Sequence, residues 1–193
     1  NIGYLYFDSG AMYRAVALFC MQNGLIEGED INTAALRERL DEIHISFEAD
    51  PETKNSATLL NGVNVEHEIR SLEVSRFVSK VAALDFVRSA MVDQQREMGK
   101  QKGIVMDGRD IGTTVFPDAE MKVFVTASAE VRAQRRYDEL VARGDKPDFN
   151  DILENVLQRD HIGQTREVSP LRKADDALLL DNSNLTREEQ MNW

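Results

Sequence analysis

The sequence has a single cysteine and no long apolar run, and each shortage excludes a class of protein. Cys20 is the only thiol among 193 residues, so the chain cannot form an internal disulfide. No run of about 18 apolar residues is present, which argues against a membrane-spanning helix. Internal repeats, low-complexity tracts and long linkers are missing too. We therefore expect a globular protein of the reducing cytoplasm, without a membrane partner.

Positive charge is also scarce. Lysine and arginine number 23 against 34 aspartate and glutamate residues, which gives a net charge of −11. General nucleic-acid binders and anionic-membrane binders depend on neutralising phosphates, so this balance argues against both. A small anionic ligand remains possible where basic residues gather locally. With 42% hydrophobic residues the chain can build one sizeable core, and we expect a monomer that binds no nucleic acid.

Apolar residues recur with alternating strand and helix periods along the chain. Strand-like segments lie at residues 4–7, 43–47, 57–65, 104–106, 121–126 and 177–180. Helical periodicity is found at residues 11–22, 34–40, 71–98, 129–142 and 149–160, and a capping-box pattern begins a last helix at Thr186. Strands that alternate with helices predict an α/β fold with a mostly parallel sheet.

The segment 29–70 differs from the rest of the chain. One helix is followed there by two strand-like runs, and Asn61-Gly62 inside the second run is typical of a tight hairpin turn. A small lobe is the structure that this pattern predicts. The expected division is a core at 1–28, the lobe at 29–70, and the core again at 71–193.

One polar segment follows the first predicted strand, at the edge of a parallel sheet where ligands gather. Ser9 lies at the expected start of a helix and Arg14 about one turn inside it, and both residue types suit an anion. The simpler alternative makes Ser9 an N-cap and Arg14 a solvated surface residue. The spacing alone does not decide between them.

A second polar segment, residues 107–113, follows the strand at 104–106. Its two glycines permit a tight turn, while Arg109 suits a phosphate and Asp110 suits the donor edge of a base or sugar. A local ion pair between Arg109 and a flanking acid is the alternative. Asp107 is a candidate ligand for Mg²⁺ at the strand end, although anchoring the turn explains it equally well.

The third cluster is basic and lies on a late helix. Arg159 and Arg166 are seven residues apart, so on a continuous helix they would share one face and converge on one anion. A charged solvent face is the alternative. Arg132, Arg135 and Arg136 add a basic run that an exposed helix explains as well.

In order and across nearly the whole chain, these motifs resemble the bacterial type of the cytidylate kinase family. The matching segments are DSGAMYR at 8–14, VSKVAAL at 78–84, VR at 87–88, DGRDIGTTVFPDA at 107–119 and RDxxxxxRxxxPL at 159–171. The resemblance implies a P-loop nucleoside-monophosphate kinase fold, in which helices flank a mostly parallel sheet and a small monophosphate lobe and a short lid are added. It also implies transfer of the γ-phosphoryl group of ATP, with Mg²⁺, to CMP and dCMP.

The resemblance also assigns individual residues. Ser79, Arg88 and Asp110 match the family positions that read cytosine, where a carboxylate accepts from the amino group and the other two side chains donate to N3 and O2. The positions that hold the acceptor phosphate and ribose, or close on the transferring group, are matched by Ser9, Tyr13, Arg14, Arg109, Arg159 and Arg166. The last three of these arginines are the expected catalytic residues, because fixed cationic forks stabilise charge on phosphoryl oxygens.

The sequence departs from the family pattern at two places. It contains no glycine-rich loop ending in Gly-Lys-Ser/Thr, and we expect a strand, this loop and a helix to precede Asn1. Gly163 stands where the family has an aspartate for the ribose hydroxyls, so we expect weak discrimination between CMP and dCMP. Asp160 or a water molecule is the alternative reader of the sugar.

Two other functions stay open on the sequence alone. A kinase for UMP or AMP would keep the fold and the arginines but change the base readers, and Ser79, Arg88 and Asp110 argue against it. A module that binds the acceptor without transferring a phosphoryl group would suit a chain that lacks a phosphate loop.

Overall fold

The computed structural model describes residues 3–49, 56–100 and 102–193, which fold into short strands separated by helices. The strands are β1 (Leu5–Asp8), β2 (Ile26–Glu27), β3 (Asp30–Ile31), β4 (Ile45–Ala49), β5 (Ser56–Leu60), β6 (Val63–Asn64), β7 (Ile104–Asp107), β8 (Val123–Thr126) and β9 (Leu178–Asp181). The helices are α1 (Ser9–Gln22), α2 (Thr33–Glu38), α3 (Leu72–Ala83), α4 (Asp85–Gly99), α5 (Ala129–Ala142), α6 (Phe149–Thr165) and α7 (Arg187–Asn192). Single 3-10 turns lie at Leu40–Glu42 and Glu68–Arg70, and a π-helical turn lies at Ile111–Val115.

Parallel strand pairing confirms the predicted α/β class. Strand β1 pairs in parallel with β7, and β8 pairs in parallel with β9. Within the described residues the two pairs form separate two-stranded sheets instead of the single sheet that the sequence predicts. Asp8 and Asp107 are opposite each other in the register of β1 and β7, so the segments that follow both strands begin at the same edge. That edge holds the candidate site.

The segment around the predicted lobe is antiparallel. Strands β4, β5 and β6 form one sheet, and β2 pairs with β3 in a small hairpin that the sequence analysis missed. Asn61 and Gly62 both have positive φ, 51° and 80°, which is the geometry expected of the Asn-Gly turn. The hairpin prediction is therefore confirmed, and the proposed boundaries at 29 and 70 stay a prediction.

Helix α1 lies at the centre of the main core. Its side chains from Ala11 to Cys20 are buried apart from Arg14, and they pack with buried residues of the 29–70 segment such as Leu36 and Leu60. Helix α3 packs against the same helix. The segment 29–70 and the helices on either side of it consequently share one apolar core, which places the start of α1 at the strand edge.

The long helix predicted at 71–98 is two helices. Leu84 is extended, with φ −73° and ψ 122°, and separates α3 from α4. The break turns Arg88 inward, where its Nη1 donates a hydrogen bond of 3.1 Å to the carbonyl of Ala82. A continuous helix could not have placed that carbonyl, six residues earlier, within reach of the same side chain.

Helices α5 and α6 pack on each other around a second, smaller core. Ala133, Leu140 and Ile152 are buried there, and the rings of Tyr137 and Phe149 meet edge to face with centroids 6.3 Å apart.

Helix α6 continues five residues beyond the predicted end. The capping box that begins α7 is confirmed by reciprocal hydrogen bonds of the Thr186 and Glu189 side chains. Of the helices in the described ranges, none has the length and apolarity needed to cross a membrane.

Candidate functional site

A pocket opens where the start of α1, the break between α3 and α4, the turn after β7 and the end of α6 meet. The predicted substrate-binding residues line it except Arg14, and Asp107, the candidate Mg²⁺ ligand, lies outside the lining as well. The lining residues are Ser9, Gly10, Tyr13, Val78, Ser79, Ala82, Arg88, Gly108, Arg109, Asp110, Arg159, Ile162, Gly163 and Arg166. Four sequence segments that are far apart along the chain are thereby brought to one cavity.

The start of α1 is capped by Asp8. The Asp8 carboxylate accepts a hydrogen bond of 3.0 Å from the backbone N–H of Ala11, and its other oxygen accepts one of 2.8 Å from Arg70. The alternative that made Ser9 the N-cap is therefore wrong, and the Ser9 hydroxyl is left to face the pocket. Gly108 is needed here because a Cβ atom at that position would collide with the Ser9 Oγ.

Arg88 and Asp110 form an ion pair in the wall of the pocket. Their side chains are only 2% and 6% exposed, and Arg88 Nη2 donates to Asp110 Oδ2. The second carboxylate oxygen, Oδ1, lies 3.8 Å from Arg166 Nη2, which is too long for a hydrogen bond. Among the described residues, the buried Arg88 Nε and Arg166 Nη2 have no hydrogen-bond partner. Since an unpaired buried donor costs about 1–3 kcal/mol, these atoms mark a place where a polar ligand would be stabilised.

Arg109 lies across α6 and away from its neighbours in sequence. Its Nη1 donates a hydrogen bond of 2.9 Å to the carbonyl of Arg159, and its Nη2 is 3.6 Å from Asp160 Oδ1. The alternative of a local ion pair with Asp107 or Asp110 finds no support among the contacts of the described residues. Partial burial lowers the pKa of the Arg109 guanidinium, and the nearby Arg132 adds to that effect.

Arg159 is the most crowded cation of the pocket. Burial, followed by the charges of Arg14, Arg109 and Arg136, lowers the pKa of Arg159 to about 9. Over the ranges that the structure describes, its guanidinium makes no hydrogen bond. Burial likewise lowers the pKa of Arg166. Several cations held together at low solvent exposure constitute a site that favours an anion.

Arg14 lies behind the pocket instead of in its wall. Its Nη1 donates to the Ile69 carbonyl at 3.1 Å and to the Ser75 hydroxyl at 2.9 Å. Burial and the charges of Arg136 and Arg70 lower the pKa of Arg14 to about 10. The solvated-surface alternative for Arg14 is thus wrong, because the side chain ties the end of segment 29–70 to α3.

Arg166 is not on the face of a continuous helix. Helix α6 ends at Thr165, and Arg166 is its C-cap in an extended conformation, with Nε donating a hydrogen bond of 2.6 Å to the Ser169 carbonyl. Both Arg159 and Arg166 nevertheless reach the pocket. The two arginines converge as predicted, but Arg166 reaches the pocket from the loop that follows α6 and not from the face of the helix.

A charge pair that the sequence analysis did not identify stands beside Arg109. Arg132 on α5 donates to both oxygens of the Asp160 carboxylate, at 3.0 and 2.6 Å. From the sequence, Arg132 belonged to a basic run that either adds to the anion site or lies on an exposed helix. No local pattern predicts the pair, since its members are 28 residues apart and on different helices.

Asp107 lies at the strand end opposite Asp8. Loss of solvent around the carboxyl group, together with the charge of Asp8, raises the pKa of Asp107 to about 6. Such a carboxylate gains from a nearby cation, and carboxylate oxygens suit Mg²⁺. The described part of the chain contains no cluster of three or more histidine, cysteine or acidic residues arranged around a metal site.

Comparison with known proteins gives one consistent result. The family model for cytidylate kinase matches residues 1–192. Curated cytidylate kinases of Bacteroides fragilis, Bacteroides thetaiotaomicron and Porphyromonas gingivalis are 69%, 64% and 58% identical to this chain over 193 residues. Each comparison covers the whole chain and 84% of the relative. The chain therefore belongs to the cytidylate kinase family of phosphotransferases.

Proposed function

We propose that this protein transfers the γ-phosphoryl group of ATP to CMP and dCMP, and that the pocket described above holds the acceptor. The observation that carries the assignment is the arrangement of Arg109, Arg159 and Arg166 around one cavity, beside the buried pair of Arg88 and Asp110. A cationic region next to a carboxylate with a free acceptor oxygen matches the two ends of a cytidine monophosphate.

The base end of the pocket supports cytosine. Asp110 Oδ2 is occupied by Arg88, whereas Oδ1 is left to accept from the exocyclic amino group. Arg88 Nε is a buried donor without a partner among the described residues, and the Ser79 hydroxyl lines the same wall. These two groups can donate to the N3 and O2 acceptors of the base. Uracil would present a carbonyl oxygen to the Asp110 carboxylate, which disfavours UMP.

The opposite end supports a phosphate. A phosphate dianion would offset the repulsion between Arg159 and its neighbouring cations, and it would pair with the Arg159 guanidinium, which makes no hydrogen bond among the described residues. Reaction then requires positioning and charge stabilisation, with the acceptor oxygen in line with the γ-phosphorus. No protein nucleophile is needed. Cys20 is fully buried in α1, and burial raises the pKa of its thiol to about 11.

Asp107 is the residue that would hold Mg²⁺ near the phosphates. Asp107 lies opposite Asp8 in the strand register, and the charge of Asp8 contributes to the raised pKa of Asp107. A cation there would relieve the repulsion of the two acids, which supports the assignment. When bound, Mg²⁺ neutralises charge on the phosphoryl oxygens. Asp8 itself is already engaged by Arg70 and by the start of α1.

The division into a core at 1–28, a monophosphate lobe at 29–70 and a core with a short lid at 71–193 belongs to the same proposal. The antiparallel sheet of β4, β5 and β6 supports it, because it lies within segment 29–70 whereas β1 with β7 and β8 with β9 pair in parallel outside it. A net charge of −11 supports a monomer that acts on small nucleotides without binding nucleic acid or membranes, and the single cysteine fits a reducing cytoplasm.

Calorimetric titration of the full-length protein with CMP and with cytidine tests the phosphate end. Arg159→Gln should weaken CMP binding by about tenfold or more, since a hydrogen bond to a charged group contributes about 1.5–3 kcal/mol. Cytidine has no phosphate and should bind the variant and the parent alike. Arg135→Gln serves as the control, because Arg135 is exposed and bonds to Asn182 instead of lining the pocket. Equal losses of CMP and cytidine affinity in Arg159→Gln would contradict the assignment.

A further inference from the structure

We propose that Asp160, held in place by Arg132, is a positioning residue that orients the Arg109 guanidinium toward the acceptor phosphate. Gly163 leaves the space that this guanidinium occupies. This inference depends on the proposed function, because it gives a purpose to a guanidinium that is assigned to the phosphate. It gives Asp160, Arg132 and Gly163 a role other than reading the ribose.

The first observation is a chain of charges from α5 to the pocket. Arg132 Nε donates a hydrogen bond of 3.0 Å to the Ala127 carbonyl, just before α5 begins. The two terminal nitrogens of Arg132 bind both oxygens of Asp160 at 3.0 and 2.6 Å, in the planar two-bond geometry that holds a carboxylate at a defined angle. Asp160 in turn lies 3.6 Å from Arg109. The carboxylate is only 21% exposed, so solvent screens this pair less than a surface pair.

The second observation is the absence of a side chain under Arg109. Gly163 lies inside α6, and a Cβ atom built at this position would be 2.5 Å from Arg109 Nη1. The guanidinium can therefore cross the helix and donate to the Arg159 carbonyl only because residue 163 is glycine. Any larger residue would push the end of the Arg109 side chain away from this position.

Together these features fix the position of the Arg109 guanidinium. Asp160 attracts the guanidinium, the Arg159 carbonyl accepts one of its protons, and Gly163 leaves room for the planar group. The same contacts bear on whether Asp160 binds the ribose hydroxyls. Because both Asp160 oxygens already accept from Arg132, Asp160 is better explained as a partner of arginines than as the acceptor for sugar hydroxyls.

The test compares single and double variants of the full-length protein by initial rates with ATP and CMP. Asp160→Asn removes the charge, and Gly163→Ala displaces Arg109 without touching Arg132. Each should lower kcat/KM for CMP by about tenfold, in line with the effect of misplacing a group that acts in the transition state. In an Arg109→Ala background, neither change should lower the rate further, because groups that act through one residue are not additive.

Two measurements separate positioning from a general effect on folding. Alanine is a better helix former than glycine, so Gly163→Ala should lose activity while its Tm stays equal to or above that of the parent. Glu154→Gln is the matched control, since Glu154 is an exposed acid on the same helix and has no ion pair among the described residues. It should leave both kcat/KM and Tm unchanged.

The outcomes distinguish this inference from the function on which it rests. If Arg109→Ala keeps the parent kcat/KM, the phosphate role proposed for Arg109 is wrong, and the inference is wrong with it. If Arg109→Ala is harmful but Asp160→Asn and Gly163→Ala retain full activity, or if their losses add to that of Arg109→Ala, the proposed function stands and the positioning role is overturned.

Discussion

At the scale of single residues, the pair of Arg88 and Asp110 matters both for folding and for the choice of base. Both side chains are almost completely buried. Removing one member of such a pair costs about 3–5 kcal/mol of folding free energy, because the other charge is left buried without a partner. A loss of activity after substitution at Asp110 would therefore have two explanations. A ratio between two acceptors is informative where a single rate is not, because lost folding stability affects both acceptors equally.

We predict that Asp110→Asn lowers the preference for CMP over UMP. The amide replaces one acceptor oxygen with a donor NH2 group, which suits the O4 of uracil and no longer suits the amino group of cytosine. The ratio of kcat/KM for CMP to kcat/KM for UMP should fall by about 10- to 100-fold, since a specific base contact is worth about 1–3 kcal/mol. Initial rates with both acceptors measure it. A lower Tm with an unchanged ratio would leave Asp110 with a structural role alone.

Single site residues could be predicted from the sequence where they belong to a short motif. Asp110, Arg109 and Ser9 were named from short segments that follow strands, and the structure brings all three to one pocket. Their partners were not predictable. Asp160 on α6 reaches Arg109 in the turn after β7, and this contact depends on tertiary packing. Arg132 reaches Asp160 across 28 residues because α5 packs on α6.

At the scale of elements, α6 is the helix that carries most of the candidate chemistry. It provides Arg159 and Asp160 within its length and places Arg166 at its C-terminal cap. Gly163 is an unfavourable residue inside a helix, by about 0.5–1 kcal/mol relative to alanine. Its presence at a buried position next to Arg109 is explained by the room that the guanidinium needs.

We predict that an aspartate at position 163 restores discrimination in favour of the ribose. A carboxylate there can accept from the sugar hydroxyls, and dCMP would leave it unpaired at a cost of about 1–3 kcal/mol. Because any Cβ atom at this position displaces Arg109, Gly163→Asp must be compared with Gly163→Ala and not only with the parent. The ratio of kcat/KM for CMP to dCMP should be at least about fivefold higher in the aspartate variant. Equal ratios in the two variants would mean that the sugar is read elsewhere.

Element boundaries were predicted less well than element types. Helical periodicity runs without interruption through residues 71–98, so the sequence did not indicate the break between α3 and α4. The break is visible only in the structure, where Leu84 is extended. The hairpin of β2 and β3 was missed because each strand has only two residues, too few to show an alternating pattern. The Asn61-Gly62 turn was found because its residues are specific to positive φ.

At the scale of the whole molecule, an acidic protein concentrates cations at one site. The net charge is −11, yet the pocket combines four arginines with a single carboxylate, Asp110. Composition argued against general binders of polyanions, but it could not show where in the described chain arginines gather to favour an anion. The parallel pairing of strands followed from the alternation of strands and helices, whereas the separation of β1 and β7 from β8 and β9 did not.

The central claim is that the pocket selects a cytidine monophosphate as phosphoryl acceptor, and a coupled assay with four acceptors tests it most directly. Initial rates of the full-length protein would be measured with ATP, Mg²⁺ and CMP, dCMP, UMP or AMP over a range of concentrations. We predict that kcat/KM for CMP and for dCMP exceeds kcat/KM for UMP by about tenfold or more, since one specific base contact is worth about 1–3 kcal/mol. AMP should be a poorer acceptor than either cytidine nucleotide, because Arg88 and Asp110 have no comparable fit to adenine. Turnover of AMP at a rate equal to or above that of CMP would contradict the account.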